Sequence, residues 1–426
     1  MEEWTEYKAL EFCYNVTDGT HDSPKPKEEG YYLITSKHLK DNGIDFASAK
    51  KISETDYLKV IQRSKVEQYD ILYSMIGTIG NICQVKDEKV NFAVKNMGIF
   101  KMGGDELKSK WLYYWLKSPM SIHYVSSRLA GSTQSYLTLN SLREYPVLVP
   151  NDEDTMKRIV SILSSLDDKI EVNRCINEQL EELAGALFKS WFVDFEPFKD
   201  GEFVDSELGM IPKGWKVGTF SNVVDSTLGG DWGKENEQGN YTKEVFCIRG
   251  ADIPEIKIGN RGKMPIRYIL EKNFAKKSLA NNDLVVEISG GSPTQSTGRV
   301  CRVTSELLEK YNNSLICTNF CRAIKPFADY SAYIYYYWQY LYDQGTMFNY
   351  ENGTTGIKNL MINDILDKEP IVIPPINIVE QYKDVVETFA TKIQKNGEEI
   401  EKLTTLRDTL LPKLMSGEID VNEVEI

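Results

Sequence analysis

The residues best equipped for chemistry lie in a polar run in the second half of the chain, Ser289-Gly290-Gly291-Ser292-Pro293-Thr294-Gln295-Ser296-Thr297-Gly298-Arg299. Its Ser, Thr, Gln and Arg donors are the types that contact phosphates and base edges, with Gln suited to adenine and Arg to guanine. At the matching place of the first half stands Gly77-Thr78-Ile79-Gly80-Asn81-Ile82, where small and hydroxyl residues let the backbone approach another surface closely. Catalytic spacings are missing. The glycines of 289–299 are not followed by Gly-Lys-Ser/Thr, and no Gly-x-Ser-x-Gly elbow or His-Glu-x-x-His helix occurs. Ile373-Pro374-Pro375-Ile376 lacks the Asp or Asn and the aromatic residue that flank a Pro-Pro pair in amino-methyltransferase sites. The seven cysteines are scattered, and only Cys317-Thr318-Asn319-Phe320-Cys321 comes near metal spacing. With just His21, His38 and His123 beside it, zinc is not expected, and packed thiols are. The chain is therefore expected to perform no chemistry alone.

These loops need elements to hold them, and the elements come twice. Strand-like runs at Tyr31–Thr35 and Asp70–Ile76 precede the first glycine loop, as Val245–Arg249 and Asp283–Ile288 precede the second. Trp111-Leu112-Tyr113-Tyr114-Trp115-Leu116 resembles Tyr333-Ile334-Tyr335-Tyr336-Tyr337-Trp338, an aromatic helix in each half. Gly131-Ser132-Thr133 leads to Tyr145-Pro146-Val147-Leu148-Val149-Pro150, and Gly353-Thr354-Thr355 leads to Glu369-Pro370-Ile371-Val372-Ile373-Pro374-Pro375. Each half is a globular unit followed by a helix.

In the helix of the first half, apolar residues recur at seven-residue spacing through Ile159, Leu166, Leu180 and Leu187, with Ile162, Ile170, Ile176 and Leu183 in the intervening turns. Asn173 interrupts this seam. Adding 223 gives Tyr382, Phe389, Asn396, Leu403 and Leu410, with an Asn at the same place. A buried Asn costs stability but selects the one alignment in which its amide finds a partner, so Asn173 and Asn396 are the expected register residues of an antiparallel pair. At about 38 residues and 1.5 Å per residue, each helix would span roughly 57 Å. The expected fold class is α+β, with mixed α/β globular units at 1–150 and 213–374, helical spacer regions at 151–212 and 375–426, and a pseudo-two-fold internal repeat.

The net charge of −13 over 426 residues is uneven. Residues 151–212 hold six Lys/Arg against 15 Asp/Glu, and residues 375–426 hold six against 11. The helical segments carry more than the whole net charge and cannot lie on phosphate, though they suit a basic partner subunit. The globular parts, near +1, permit nucleic-acid binding. No apolar run is long enough to cross a membrane and no basic-then-apolar signal opens the chain, so a cytoplasmic protein is expected.

Leu187-Phe188-Lys189-Ser190-Trp191-Phe192-Val193-Asp194-Phe195, then Gly209-Met210-Ile211-Pro212-Lys213-Gly214-Trp215, and the C-terminal Leu410-Leu411-Pro412-Lys413-Leu414-Met415-Ser416-Gly417-Glu418-Ile419 carry a resemblance. The chain resembles the specificity subunit of type I restriction-modification enzymes along essentially its whole length. The resemblance implies two target recognition domains, each reading half of a split, asymmetric double-stranded DNA sequence, held apart by paired helices. It also implies two methyltransferase subunits on the helical region, with restriction or translocase subunits joining through them. S-adenosylmethionine, ATP and magnesium would belong to those partners, and this chain would hold no cofactor. Family members contact DNA through loops whose matching residues here are Ser74, Gly77, Thr78 and Gly80, then Ser132, Thr133 and Gln134, then Ser289, Thr294, Gln295, Ser296, Thr297 and Arg299, and finally Thr354, Thr355 and Lys358. Arg128, Arg249 and Lys358 are the expected phosphate contacts. One departure is Gly229-Gly230-Asp231-Trp232-Gly233, which stands where many members carry a Gly-Gly-Thr-Pro-like opening. Two other classes are a scaffold that assembles proteins without reading DNA and an enzyme with unrecognised motifs.

Replacing Asn173 or Asn396 by Leu is expected to change helix register or the gap in the DNA target while leaving base choice intact. Mapping methylated sites in cells carrying each variant checks this; an unchanged target and gap would refute the register role.

Overall fold

A computed structural model of the chain describes residues 4–40, 43–129, 135–290, 295–353 and 358–421. Two compact units are present, residues 1–171 with 403–426 and residues 172–402.

In the first unit a four-stranded antiparallel sheet runs in the order Asn15–Asp18, Met97–Lys101, Ile71–Ser74, Ile82–Gln84. A three-stranded sheet places Tyr31–Ile34 between Lys50–Ile52, antiparallel, and Phe92–Val94, parallel. Trp4–Lys8 pairs antiparallel with Pro146–Pro150. Ile71-Leu72-Tyr73-Ser74 is buried on both faces, which is why it reads as a continuous apolar run and not as an alternation. The aromatic helix Glu106–Lys117 is pinned to the strand Pro146–Pro150 by indole donors: Trp111 Nε1 to the Leu148 carbonyl at 3.0 Å and Trp115 Nε1 to the Pro146 carbonyl at 2.6 Å.

The second unit repeats this plan strand for strand. Its four-stranded sheet has the order Val224–Gly229, Cys321–Pro326, Leu284–Glu287, Val300–Arg302. Tyr241–Ile248 lies between Ile266–Leu270, antiparallel, and Leu315–Cys317, parallel, and Lys216–Thr219 pairs with Pro370–Ile373. The aromatic helix Ser331–Asp343 buries Tyr333, Tyr335 and Trp338, and the Trp338 indole donates to the Gly298 carbonyl at 2.8 Å. A buried ion pair recurs with the sheet. Asp70 meets Lys101 at 2.6 Å and Asp283 meets Lys325 at 3.1 Å. Burial keeps both carboxyls above the usual carboxylate range despite the ammonium beside each.

The two seams form helices of 40 residues each, Glu153–Phe192 and Ile376–Met415. Within the first unit, Met156, Ile159, Val160 and Leu163 share a core with Leu411, Leu414 and Met415, and Arg407 meets Asp167 at 2.6 Å. Within the second, Ala184, Phe188 and Phe192 share a core with Val379, Tyr382 and Val386, and the Tyr382 hydroxyl donates to the Ala184 carbonyl at 3.1 Å. Partner numbers fall as helix numbers rise, so the pairing is antiparallel. Among the described residues no helix is long and apolar enough to cross a membrane.

The seam differs from its sequence-based reading in one row. Leu183 is 52% exposed, and the fully inward heptad row is Leu163, Ile170, Asn177 and Ala184. An Ala and a second Asn do not register as apolar signals, yet the small side chain admits Tyr382 and the amide is satisfied inside. Asn396 bonds Asn177, not Asn173: its Nδ2 donates to Asn177 Oδ1 at 2.8 Å. Asn177 Nδ2 in turn donates to the carbonyls of Ile393 (3.1 Å) and Ile258 (2.9 Å). Asn173 is buried too, and its Nδ2 donates to Glu399 at 2.9 Å.

The first helix stops where Phe195 adopts a left-handed conformation, φ 55°, unusual for a bulky residue. Its ring packs edge-on against Trp215 and Phe203, which holds it there. Beside Asn177 and Asn396, Gly397 packs so tightly on Gly259 that a Cβ would stand 2.0 Å from the Gly259 carbonyl oxygen, whereas a Cβ at Gly185 would meet nothing within 4 Å. Gly397→Ala is expected to cost at least about 2 kcal/mol of stability through overpacking. Gly185→Ala is expected to gain about 0.5–1 kcal/mol from improved helix propensity. Denaturant unfolding of the two variants beside the parent chain reads both signs.

Candidate nucleic-acid interface

Both predicted loops hang from the same backbone frame. In the first unit, Ser74 N–H bonds the Asn81 carbonyl (2.8 Å) and Gly80 N–H bonds the Ser74 carbonyl (3.1 Å); in the second, Glu287 N–H bonds the Arg299 carbonyl (2.9 Å) and Gly298 N–H bonds the Glu287 carbonyl (2.9 Å). Left-handed glycines mark both sides, Gly77 and Gly80 at φ 79° and 91°, Gly290 and Gly298 at 147° and 104°. Residues carrying side chains adopt these angles only under strain, so glycine defines the loop mouth. A second segment closes each frame, an isolated bridge in the first unit and the strand Lys358–Leu360 in the second: Leu137 N–H bonds the Met75 carbonyl (2.9 Å), and Leu360 N–H bonds the Ile288 carbonyl (2.8 Å). Two residues separate the glycines in the first unit, and seven separate them in the second.

In the first unit, Gly77, Thr78 and Gly80 are exposed on this frame, while Ser74 is fully buried with its hydroxyl on the Ile76 carbonyl and presents no surface. Arg128 ends the helix Pro119–Arg128 with its guanidinium over the Tyr124 ring, 5.4 Å from the centroid. Ser132, Thr133, Gln134, Thr294, Thr354 and Thr355 lie outside the described residues.

In the second unit, the structure brings Ser289, Ser296, Thr297, Arg299 and Lys358 together and leaves Gln295 exposed beside them. Several of these are less available than their side-chain chemistry suggests. Arg299 makes a two-pronged bond to Glu287, Nε at 2.8 Å and Nη2 at 2.7 Å. That hydrogen-bonded carboxylate raises the guanidinium pKa against the cost of burial. Arg249 grips the buried Asp252 in the same way, at 2.9 and 3.0 Å. Burial works to raise the Asp252 pKa, but hydrogen bonds from Arg249 and from the Lys263 and Arg249 N–H groups hold it below the usual range. Lys358 pairs with Glu351 at 2.9 Å and lies over the Phe348 ring. Glu351 also accepts from Thr297 N–H and Oγ1, and both Ser296 and Thr297 are buried. Arg249 and Arg299 thus belong to the frame, and among the described residues the candidate surface comprises the exposed Gln295, Asn352 and Asn359 with the half-buried Ser289, whose hydroxyl donates to Asn359 Oδ1 at 2.8 Å. Sequence reading missed Glu287, Asp252 and Glu351, the acids that occupy the cations. A charge ending the buried strand Leu284-Val285-Val286-Glu287 was the available signal, since such a group requires a partner.

The opening loop is built alike in both units despite its unusual sequence. A Cβ on Gly19 would fall 2.3 Å from the Val94 carbonyl oxygen, and one on Gly230 would fall 2.0 Å from that of Thr318. Around the first, His21 bonds Asn96 (2.8 Å) and Asp18 (3.0 Å); around the second, Asp231 accepts from Asn273 (2.8 Å) and Trp232 lies beneath Arg267. Cys317 and Cys321 are buried, and burial pushes both thiols up to about 12.

Comparison with known proteins follows the same lines. The model of the type I restriction modification DNA specificity domain matches residues 1–182. The MjaIX specificity subunit, a type I restriction enzyme component of Methanocaldococcus jannaschii, is 30% identical over 329 residues, covering 75% of this chain and 71% of that protein. The chain belongs to the type I restriction enzyme specificity subunits. The HindI specificity subunit of Haemophilus influenzae, 23% identical over 487 aligned positions, is covered in full by 98% of this chain. A crystal structure of the type I restriction-modification S subunit from M. genitalium shares the fold at TM-score 0.52 and 15% identity, with 97% of this chain and 96% of that one covered.

For this specificity subunit, Arg299→Ala leaves Glu287 buried without its cation, an expected loss of about 3 kcal/mol. The exposed Thr78→Ala is expected to stay within about 0.5 kcal/mol of the parent. Thermal unfolding distinguishes the two; an unchanged midpoint for Arg299→Ala would return that arginine to the reading surface.

Proposed function

We propose that each unit contacts one half of a split, asymmetric double-stranded DNA sequence, the first through the loop at Gly77–Gly80 with Arg128, the second through Ser289, Gln295, Asn352, Asn359 and Lys358. The observation that carries this reading is one frame used twice with unlike inserts. Repeated strands and glycines hold loops of different length and chemistry, which suits reading two different half-sites from a common scaffold. Hydrogen-bonding side chains on fixed backbone match base edges, and the few cations left on the surface suit phosphates. Ser132, Thr133, Gln134, Thr294, Thr354 and Thr355 extend the same loops in the sequence and are assigned to the same role.

The rest of the assembly follows from the acidic helical segments, which repel DNA and suit basic partners. On this reading methyltransferase subunits dock there and restriction subunits join through them, in the cytoplasm. S-adenosylmethionine, ATP and magnesium serve those partners, and this chain supplies specificity without catalysis. A scaffold that reads no DNA has no use for two differently filled frames.

Single-molecule sequencing of DNA from cells co-expressing the chain with its cognate methyltransferase subunit is expected to show methylated adenine in a split motif with a fixed gap. Exchanging residues 290–298 for the corresponding loop of a relative with another target should change one half of that motif only. A stable complex that leaves DNA without any split methylated motif would refute the reading.

A further inference from the structure

Phe320 stands on the turn between strands Leu315–Cys317 and Cys321–Pro326 and is 60% exposed. Single exposed apolar side chains are ordinary on protein surfaces. What separates Phe320 is the backbone that carries it. Its carbonyl accepts from Ile288 N–H at 2.9 Å and Ser289 N–H at 3.2 Å. The turn is closed by Cys321 N–H on the Thr318 carbonyl (2.9 Å) and Thr318 N–H on the Ile248 carbonyl (3.0 Å). Ser289-Gly290 pairs with Lys358-Asn359, and that strand pairs with Glu351-Asn352, so the turn is bonded into one continuous row with the reading surface. The fold places no demand on the ring itself: the turn is held by main-chain bonds, and the core cluster beneath includes Cys317, Cys321 and Ala323 but not Phe320.

We propose that Phe320 reads the C5-methyl group of a thymine in the half-site contacted by the second unit, an inference that rests on the DNA-reading role above. In the major groove the base edges offer donors and acceptors, which Ser289, Asn352 and Asn359 can answer, and one apolar feature, the thymine methyl, which they cannot. An aromatic ring mounted beside them supplies the missing complement. Apolar wedges that enter between base pairs work in the minor groove among free cations. Around this turn Arg299 is paired with Glu287, Lys277 with Asp231 and Lys358 with Glu351, so insertion between bases is separated from methyl contact by 2-aminopurine fluorescence.

The test uses the complete complex with its methyltransferase subunit, on the target defined by methylation mapping, in the half that changes when residues 290–298 are exchanged. Each thymine there is replaced singly by deoxyuridine, and Kd is measured for the parent, Phe320→Ala and Phe320→Leu. One replacement is expected to weaken the parent about three- to tenfold, in line with burial of one methyl group. Phe320→Ala should bind the thymine duplex as weakly and become indifferent to that replacement, with Phe320→Leu between them. Indifference of the parent to every replacement, continued sensitivity of Phe320→Ala, or a half-site without thymine would overturn the assignment. So would 2-aminopurine fluorescence that rises with Phe320 present and ignores the methyl, since that marks insertion between bases. Failure of the wider reading looks different: no split methylated motif with the parent chain.

Discussion

The second unit depends on one buried amide. Asn177 gives its two N–H donors to the Ile393 and Ile258 carbonyls and its oxygen to Asn396, so a single side chain ties the paired helices to each other and to the loop following Ile253–Lys257. A buried amide left unpaired costs more than the bonds return when made, and a slip of either helix by one turn would strand all of these groups. Register is therefore set by polar satisfaction, while apolar burial supplies the bulk of the affinity between the helices. Gly397 and Gly259 complete the arrangement by allowing the backbone approach that the amide bonds require.

A similar division of labour appears at the loops. Main-chain bonds at Gly80 and Gly298 close the frames, and buried acids hold the cations that would otherwise face outward. Such pairs contribute little net stability, but losing one partner is costly, which makes them suited to fixing geometry. Between the framing glycines the exposed Thr78 can differ freely, whereas Ile79 packs on the core and Ser296 and Thr297 are buried, Thr297 on Glu351, and so belong to the frame.

The acidic helices and near-neutral globular units fit this economy of charge. A specificity subunit whose strands carried many free lysines would bind any duplex, since phosphate contacts are blind to sequence. On the proposed reading, neutralising Arg249 and Arg299 internally leaves hydrogen-bonding edges to dominate recognition, and those report base identity.

Much of this was legible in the sequence. The internal repeat, the aromatic helices, the two 40-residue helices and the family motifs around Trp191, Trp215 and Leu410 all follow from local pattern, because heptads, glycines and apolar runs express backbone requirements that act within a few residues. The antiparallel pairing followed as well, from an Asn at the same place in both seams. What the tertiary structure decided was partnership. That Asn396 meets Asn177, that Leu183 faces outward while Ala184 faces in, that Ser74 is buried, and that Glu287, Asp252 and Glu351 claim three cations depend on which side chains stand opposite. Some of those partners, such as Glu287 and Arg299, are only 12 positions apart, and others, such as Asn177 and Asn396, are separated by 219. Hydrogen bonds and ion pairs act over a few ångströms in space, so a side chain's type tells what it can bind, and only the fold decides what is near enough to be bound.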